Sequence, residues 1–356
     1  DTYSGSLDDA TSVLYDVKVI FNADINSLGY AKTTTIYKYA SGSIDDDPLL
    51  AGLHDGVINY SNFMDATVMT TTKFDLICNA LEQTVEKYYT EDKSGKPVQT
   101  QTITNEPYDF HDRQTKSTIT TKNALLEEID TQVIWYDSYD AYGNTIDQRI
   151  YRYEKSDLSN FIDYKTIHND YADLKAARRG NATHTTINRY ASETVFDSTT
   201  RIERQEIDNH PLTIDSRGNI VDQTIDLYVT ISGLEKLSRE TVIKNLAIDN
   251  KGDAYSQKIW TYTTTDAGAV MPGEVSYQEI TNRTFDSEHN VKNQSVFNYL
   301  NEGGILLDVQ EIRNLTFDLR GNVTEQRIDT YSGSLDDATS VLYDVNVIFN
   351  ADINSL

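Results

Sequence analysis

Nine times along its 356 residues this chain repeats one frame: a strand, an Asp-x-x-Gly-Asn turn, and a second strand ending in Tyr. The clearest copies are FDLRGNVTEQRIDTY from Phe317, YDAYGNTIDQRIYRY from Tyr139 and IDSRGNIVDQTIDLY from Ile214. FDSEHNVKNQSVFNY from Phe285, IDNKGDAYSQKIWTY from Ile248 and FDLICNALEQTVEKY from Phe74 keep the frame. INSLGYAKTTTIYKY from Ile25 and YDFHDRQTKSTITTK from Tyr108 keep it more loosely. In the ninth copy, ending at Tyr190, Asp173 stands seven residues before Gly180 instead of three, which predicts a four-residue insertion.

The frame has a physical reason. Asp at the first position of a type I turn accepts hydrogen bonds from the turn backbone. The fourth position takes positive φ and forms a G1 bulge, so Gly is favoured there. Those positions are Gly29, Gly143, Gly180, Gly218, Gly252 and Gly321, with Cys78, Asp112 and His289 in the other three copies. None of the exceptions is β-branched, the class least tolerant of positive φ. In the second strand an Ile or Val is preceded two residues earlier by Gln83, Gln148, Gln223, Gln257, Gln294 or Gln326. Three residues after it stands Tyr39, Tyr88, Tyr153, Tyr190, Tyr228, Tyr262, Tyr299 or Tyr331; Lys122 breaks the rule. Alternation puts Gln and Ile on one strand face. Stacked units are expected to align Gln with Gln, Ile with Ile and Tyr with Tyr, each such pair contributing about 0.2–1 kcal/mol.

A longer period contains the shorter one. Residues 1–28 recur as residues 329–356, with Asn346 in place of Lys18. The period is 328 residues, or nine units of about 36. We read residues 1–356 as a single repeat array: one period, 1–328, plus the start of the next, 329–356. Such a join points to a fragment of a tandem array, and so to structural or adhesive proteins over catalysts. There is no initiator Met and no signal peptide, which is consistent with a fragment.

Composition fits long, half-wet strands. Tyr numbers 24, and Thr, Ile and Val are plentiful, all of them strand formers. Neither strand face is strongly apolar, which argues against a thick sandwich. The expected fold is all-β: antiparallel hairpin repeats stacked into a continuous spiral sheet or tube, stabilised by neighbour contacts. The links between hairpins, such as SGSLDDAT and TEDKSGKP, read as surface turns. Residues 44–63, with Pro48, Gly52 and Gly56, read as an inserted loop.

The Tyr139–Asp140–Gly143–Asn144 turn, in ninefold series, resembles the RHS/YD-repeat family, as a tandem-array variant. Phe or Ile replaces the Tyr in the copies at Phe74, Ile214, Ile248, Phe285 and Phe317. The resemblance implies secreted or surface-displayed bacterial proteins of spiralling hairpins, often enclosing a cavity that houses a toxic domain. No toxin-like segment is visible, and the 328-residue recurrence favours continued stacking over a closed shell.

Lys and Arg number 31 against 56 Asp and Glu, a net charge of −25. That balance argues against nucleic acid, which needs clustered cations. No apolar run nears the roughly 20 residues of a membrane span. Cys78 is the one cysteine, so no disulfide forms within the chain. No two of the six His stand at i, i+3 or i+4, and phosphate-loop and nucleophile-elbow motifs are absent. We therefore expect no enzyme, no catalytic residue and no cofactor. Ca²⁺ is the one metal to consider, with Asp45, Asp46 and Asp47 as candidate ligands. Three functions follow in order: a secreted or cell-surface structural protein whose units form a fibre or tube, with itself as partner; an adhesin or glycan-binding scaffold using Tyr rows; and an RHS-type shell.

Overall fold

The structure, a computed structural model, describes residues 2–4, 13–26, 29–45, 57–231, 233–265, 268–271, 273–332 and 341–349. Its strands run β1 (Thr2–Ser4), β2 (Val13–Ile25), β3 (Ala31–Asp45), β4 (Val57–Phe74), β5 (Ala80–Tyr88), β6 (Gln99–Asn105) and β7 (Lys116–Asn123). They continue as β8 (Glu128–Tyr139), β9 (Thr145–Tyr153), β10 (Phe161–Asp170), β11 (His184–Tyr190), β12 (Arg201–Asn209), β13 (Asp222–Ile231) and β14 (Leu234–Ile248). The last are β15 (Ala254–Thr263), β16 (Ser276–Phe285), β17 (Val291–Tyr299), β18 (Leu306–Phe317), β19 (Val323–Ser332) and β20 (Val341–Phe349). Each strand pairs antiparallel with the next in the chain, from β1–β2 through β19–β20. The result is one meandering sheet of 20 strands, the all-β hairpin architecture that the frame predicts.

Each Asp-x-x-Gly unit joins the strands of one hairpin. All nine fourth positions have positive φ: 87, 87, 77, 88, 104 and 81° at Gly29, Gly143, Gly180, Gly218, Gly252 and Gly321, and 71, 60 and 68° at Cys78, Asp112 and His289. The insertion before Gly180 is a single helical turn, α1 (Leu174–Ala177), whose N-terminal amides are capped by Asp173. Of the segment 44–63, residues 44–45 end β3 and 57–63 begin β4, paired Ile44↔Ile58 and Tyr39↔Phe63; residues 46–56 lie outside the described residues.

The sheet does not close into a barrel, but it curls back over itself. Lys18 of β2 bonds Glu288, 270 residues away. The Tyr89 hydroxyl donates to the carbonyl of Phe317, 228 residues away. Turns of late hairpins thus sit on the inner surface of early ones. The most deeply buried side chains are mostly polar: Asp130, Asp163, Asp329, Thr121 and Thr131, beside Val309; of these, Asp130 and Thr121 lie under the late turn that carries Arg320. Aromatic residues fill the strand ends, with Tyr39, Tyr153, Tyr164, Tyr190 and Tyr277 buried.

The 328-residue recurrence is visible in backbone pairing. β1 meets β2 as Thr2↔Asp16, Tyr3↔Leu14 and Ser4↔Val13. β19 meets β20 as Thr330↔Asp344, Tyr331↔Leu342 and Ser332↔Val341, with the same register slip at the same step. These are the same pairs, one period on.

Candidate functional site

The interface between repeats is the candidate site, and it begins at the turn. In the β8–β9 hairpin, Asp140 Oδ1 accepts the amides of Tyr142 and Asn144, each at 2.8 Å. Asn144 Nδ2 donates to Asp140 Oδ2 at 2.8 Å. The same cradle recurs at Asp75, Asp215, Asp286 and Asp318. At Asp215 partial burial opposes ionisation, but the donors from Asn219 and Arg217 outweigh it and hold the carboxyl down at about 2. At Asp109 the Arg113 side chain leads, with further N–H donors, and the carboxyl again lies at about 2.

Each turn also grips its neighbour. Asn144 Nδ2 donates to the Ala177 carbonyl at 2.6 Å, and Asn181 Nδ2 to that of Gly218 at 2.9 Å. Arg217 reaches the carbonyls of Ile248 and Asp249 at 2.9 and 3.0 Å. These approaches are close. A Cβ on Gly218 would stand 2.4 Å from the Lys175 carbonyl oxygen, and one on Gly321 would stand 2.7 Å from Asn290 Oδ1. Around Gly29 and Gly143 there is open space.

A second set of bonds ties successive hairpins along their strands. Asn209, Asn245 and Asn314, on first strands, accept from Gln223, Gln257 and Gln326 at 2.7, 2.6 and 2.7 Å. The amides of the same Asn residues donate backward to the carbonyls of Ala182, Ile220 and Val291, which belong to the preceding hairpin. Asn105 and Asn169 repeat the backward bond to Ala80 and Thr145, and accept from Ser117 and Thr185. Each Asn therefore relays between two hairpins. Gln faces Asn here, not another Gln as the repeat spacing predicts, because a first strand intervenes between equivalent second strands. Gln83 bonds Thr71 at 3.1 Å. Gln148 faces Tyr136, and Gln294 faces Ile312.

The Tyr residues likewise meet aromatic or ionic groups of the intervening strand. Tyr39 stacks edge-on with Phe63, Tyr153 with Phe161, and Tyr299 pairs with Tyr277 at 5.7 Å. Arg204 lies 3.9 Å from the ring centroid of Tyr228. The hydroxyl of Tyr331 reaches Glu311, whereas that of Tyr88 reaches Glu86 on its own strand. Tyr262 stands half-buried on β15.

The third set is ionic. Two residues beyond the repeat aliphatic stand Lys38, Lys87, Arg152 and Arg189. Asp65 is paired with Lys38 in register and lies 3.4 Å from Lys87 Nζ. Asp163 lies 3.8 Å from Arg152 and 2.9 Å from Arg189. Buried carboxylates thus alternate with buried cations, as burial demands. In the third hairpin the corresponding residue is Thr121, and the cation comes from elsewhere. Arg320, in the β18–β19 turn, donates to Thr121 Oγ1 at 2.6 Å and to both Asp130 oxygens at 2.5 and 3.1 Å. The neighbouring late turn docks by the opposite sign: Lys38 contacts Asp286 and Glu288, and Lys18 contacts Glu288. Burial pulls the Lys38 ammonium down, but Asp65, Glu288 and Asp286 outweigh it and raise it. Lys87 is lowered, burial being the largest influence. The one difference between the two 28-residue copies falls on this contact, since position 346 carries Asn where Lys18 holds Glu288.

Of the candidate Ca²⁺ ligands, Asp45 ends β3, and Asp46 and Asp47 lie outside the described residues. No cluster of three or more His, Cys, Asp or Glu suited to a metal occurs among the described residues. No helix among them is long and apolar enough to cross a membrane. A shallow groove of about 400 Å³ is lined by Phe21, Tyr37, Tyr39, Glu91 and Asp92.

No protein family matches the chain, and no curated protein does. One solved structure similar to it is the crystal structure of TcdB2-TccC3, at 10% sequence identity and a TM-score of 0.23, over 99% of this chain and 21% of that one. The chain spans about a fifth of the length of that structure. So distant a likeness says nothing of activity or partner.

Proposed function

We propose that this chain is part of a structural, non-catalytic repeat protein whose hairpins stack into an open spiral. Successive 328-residue periods extend the spiral into a fibre or tube. The observation that supports this reading best is the matched register of β1–β2 and β19–β20. A strand of the following period adds to the sheet as its counterpart does one period earlier, so the sheet is continued, not capped. The Asn relays and turn-to-turn bonds supply the adhesion. Each is modest, on the order of 1 kcal/mol, and the stability of such an array is a sum over neighbours. A secreted or surface location belongs to the proposal, supported by the YD-type turn alone.

Cryo-electron microscopy of the assembled protein tests the reading. We expect filaments whose helical symmetry repeats with the 328-residue period. Closed capsules with an internal cavity would overturn it in favour of an encapsulating shell.

A further inference from the structure

Two of the turns are docked across the curl, and two that resemble them in frame carry exposed apolar tips. Glu288 and Arg320, each two residues after the turn Asp, are bonded to Lys18 and Asp130 across the curl. The same place in the β4–β5 turn is Ile77; it and its neighbour Leu76 are 60% and 99% exposed. In the β6–β7 turn Phe110 is 89% exposed. Leucine, isoleucine and phenylalanine are costly residues to leave at turn tips, where polar residues normally stand.

An unmatched apolar surface lies on the opposite rim. Around the ends of β9 to β12, Tyr164 and Tyr190 stack on Phe196 at 4.3 and 5.7 Å. Phe196 and its neighbour Val195 remain 43% and 45% exposed. These strands follow β8, which holds Asp130, where Arg320 docks. A spiral continued beyond the β18–β19 turn brings its next turns over β9 to β12. On the stacked-array reading those turns are the counterparts, one 328-residue period on, of residues 26–30, 75–79 and 109–113.

We propose that the turns bearing Leu76, Ile77 and Phe110 dock on the aromatic rim around Phe196 of an adjacent copy of this same chain. The inference rests on the stacked-array reading and names its second contact. Charged turns meet the charged row, where Arg320 finds Asp130 and Glu288 finds Lys18 and Lys38. Apolar turns meet the aromatic rim, where burial of the tips removes them from water.

Cys78, the single cysteine, lies in the same turn as Leu76 and supplies the probe. The full chain is labelled with a maleimide across a concentration series while light scattering follows assembly. We expect Cys78 to react about tenfold more slowly in assemblies than in dispersed chains, as opening of the contact limits access. Leu76→Asp on the turn and Val195→Asp on the rim should each raise the half-assembly concentration about tenfold, the usual loss for an apolar anchor. Both sites are exposed in the single chain, and circular dichroism checks that the fold is kept. Filaments whose Cys78 reacts at the dispersed rate, and which Leu76→Asp leaves intact, would overturn this docking while leaving the stacked array standing. Chains that stay dispersed at every concentration would overturn the docking between copies, whereas closed capsules would overturn the stacked array itself.

Discussion

The Arg320 guanidinium holds both oxygens of Asp130, 190 residues earlier in the chain, at 2.5 and 3.1 Å. Asp130 is fully buried. It lies beside Thr121, at a position where four other hairpins supply a cation of their own, Lys38, Lys87, Arg152 and Arg189. One winding of the sheet thus completes the charge balance of another.

Removing that arginine should therefore cost more than removing a surface ion pair. Arg320→Met leaves an uncompensated buried carboxylate, and we expect a loss of about 3–5 kcal/mol. Adding Asp130→Asn should recover most of it. Urea unfolding of the two variants and the double variant checks this. A loss below about 1 kcal/mol, the level of an exposed pair, would show that the curl does not bury Asp130.

Gly143 and Gly218 share nearly the same φ, 87 and 88°, but not the same surroundings. Gly143→Ala meets only the left-handed backbone penalty, about 1–2 kcal/mol. Gly218→Ala adds a clash with the Lys175 carbonyl, for about 2–5 kcal/mol in total. Gly321→Val forces a β-branched residue to positive φ, while its Cβ meets only the Oδ1 end of the Asn290 side chain, which can shift. Amide exchange in the flanking strands reads each loss locally, and equal costs at Gly143 and Gly218 would refute the close approach.

Asn314→Ala deletes both halves of one relay, the bond to Val291 O and the acceptor for Gln326. Half-buried partners are left unsatisfied, at a cost of about 1–3 kcal/mol. Exchange should quicken in β17 as well as in β18 and β19, because the relay spans two hairpins. Faster exchange confined to β18 and β19 would contradict that span.

The turn carboxylates set the acid limit. Asp109 and Asp215 titrate at about 2 in the fold, against about 3.9 in an unfolded chain. A depressed folded value means that their contribution is complete above pH ~4 and disappears as pH falls toward 2. The melting temperature should therefore be level down to pH ~4 and fall steadily below it. Asp215→Asn should flatten that fall. A melting temperature that stays constant down to pH ~2 would rule out the cradles as the cause.

The hairpins are legible in the sequence because positive φ leaves its mark on residue choice at one place, and the Asp that closes the turn is three residues away. Cys78, Asp112 and His289 fit that reading, all at positive φ. The Asn relay is less legible. Its partners lie 12 residues apart at Asn245–Gln257 and Asn314–Gln326, but 14 apart at Asn209–Gln223, so no single spacing exposes it. An Asn recurring near the end of five first strands, at Asn105, Asn169, Asn209, Asn245 and Asn314, was the available signal. The ionic row is hidden for another reason. Lys38, Asp65 and Lys87 come together across strands, and Arg320 reaches Asp130 only because the sheet curls. The short helix before Gly180 shows in sequence as extra length, without its shape.

The pairing of Thr330 with Asp344 reproduces that of Thr2 with Asp16. The boundary between periods therefore leaves no seam in the backbone. In the tandem array proposed above, recombination between copies would add or delete whole periods while keeping this pairing, so that the length of such a protein would be free to drift by genetic accident while its cross-section is conserved.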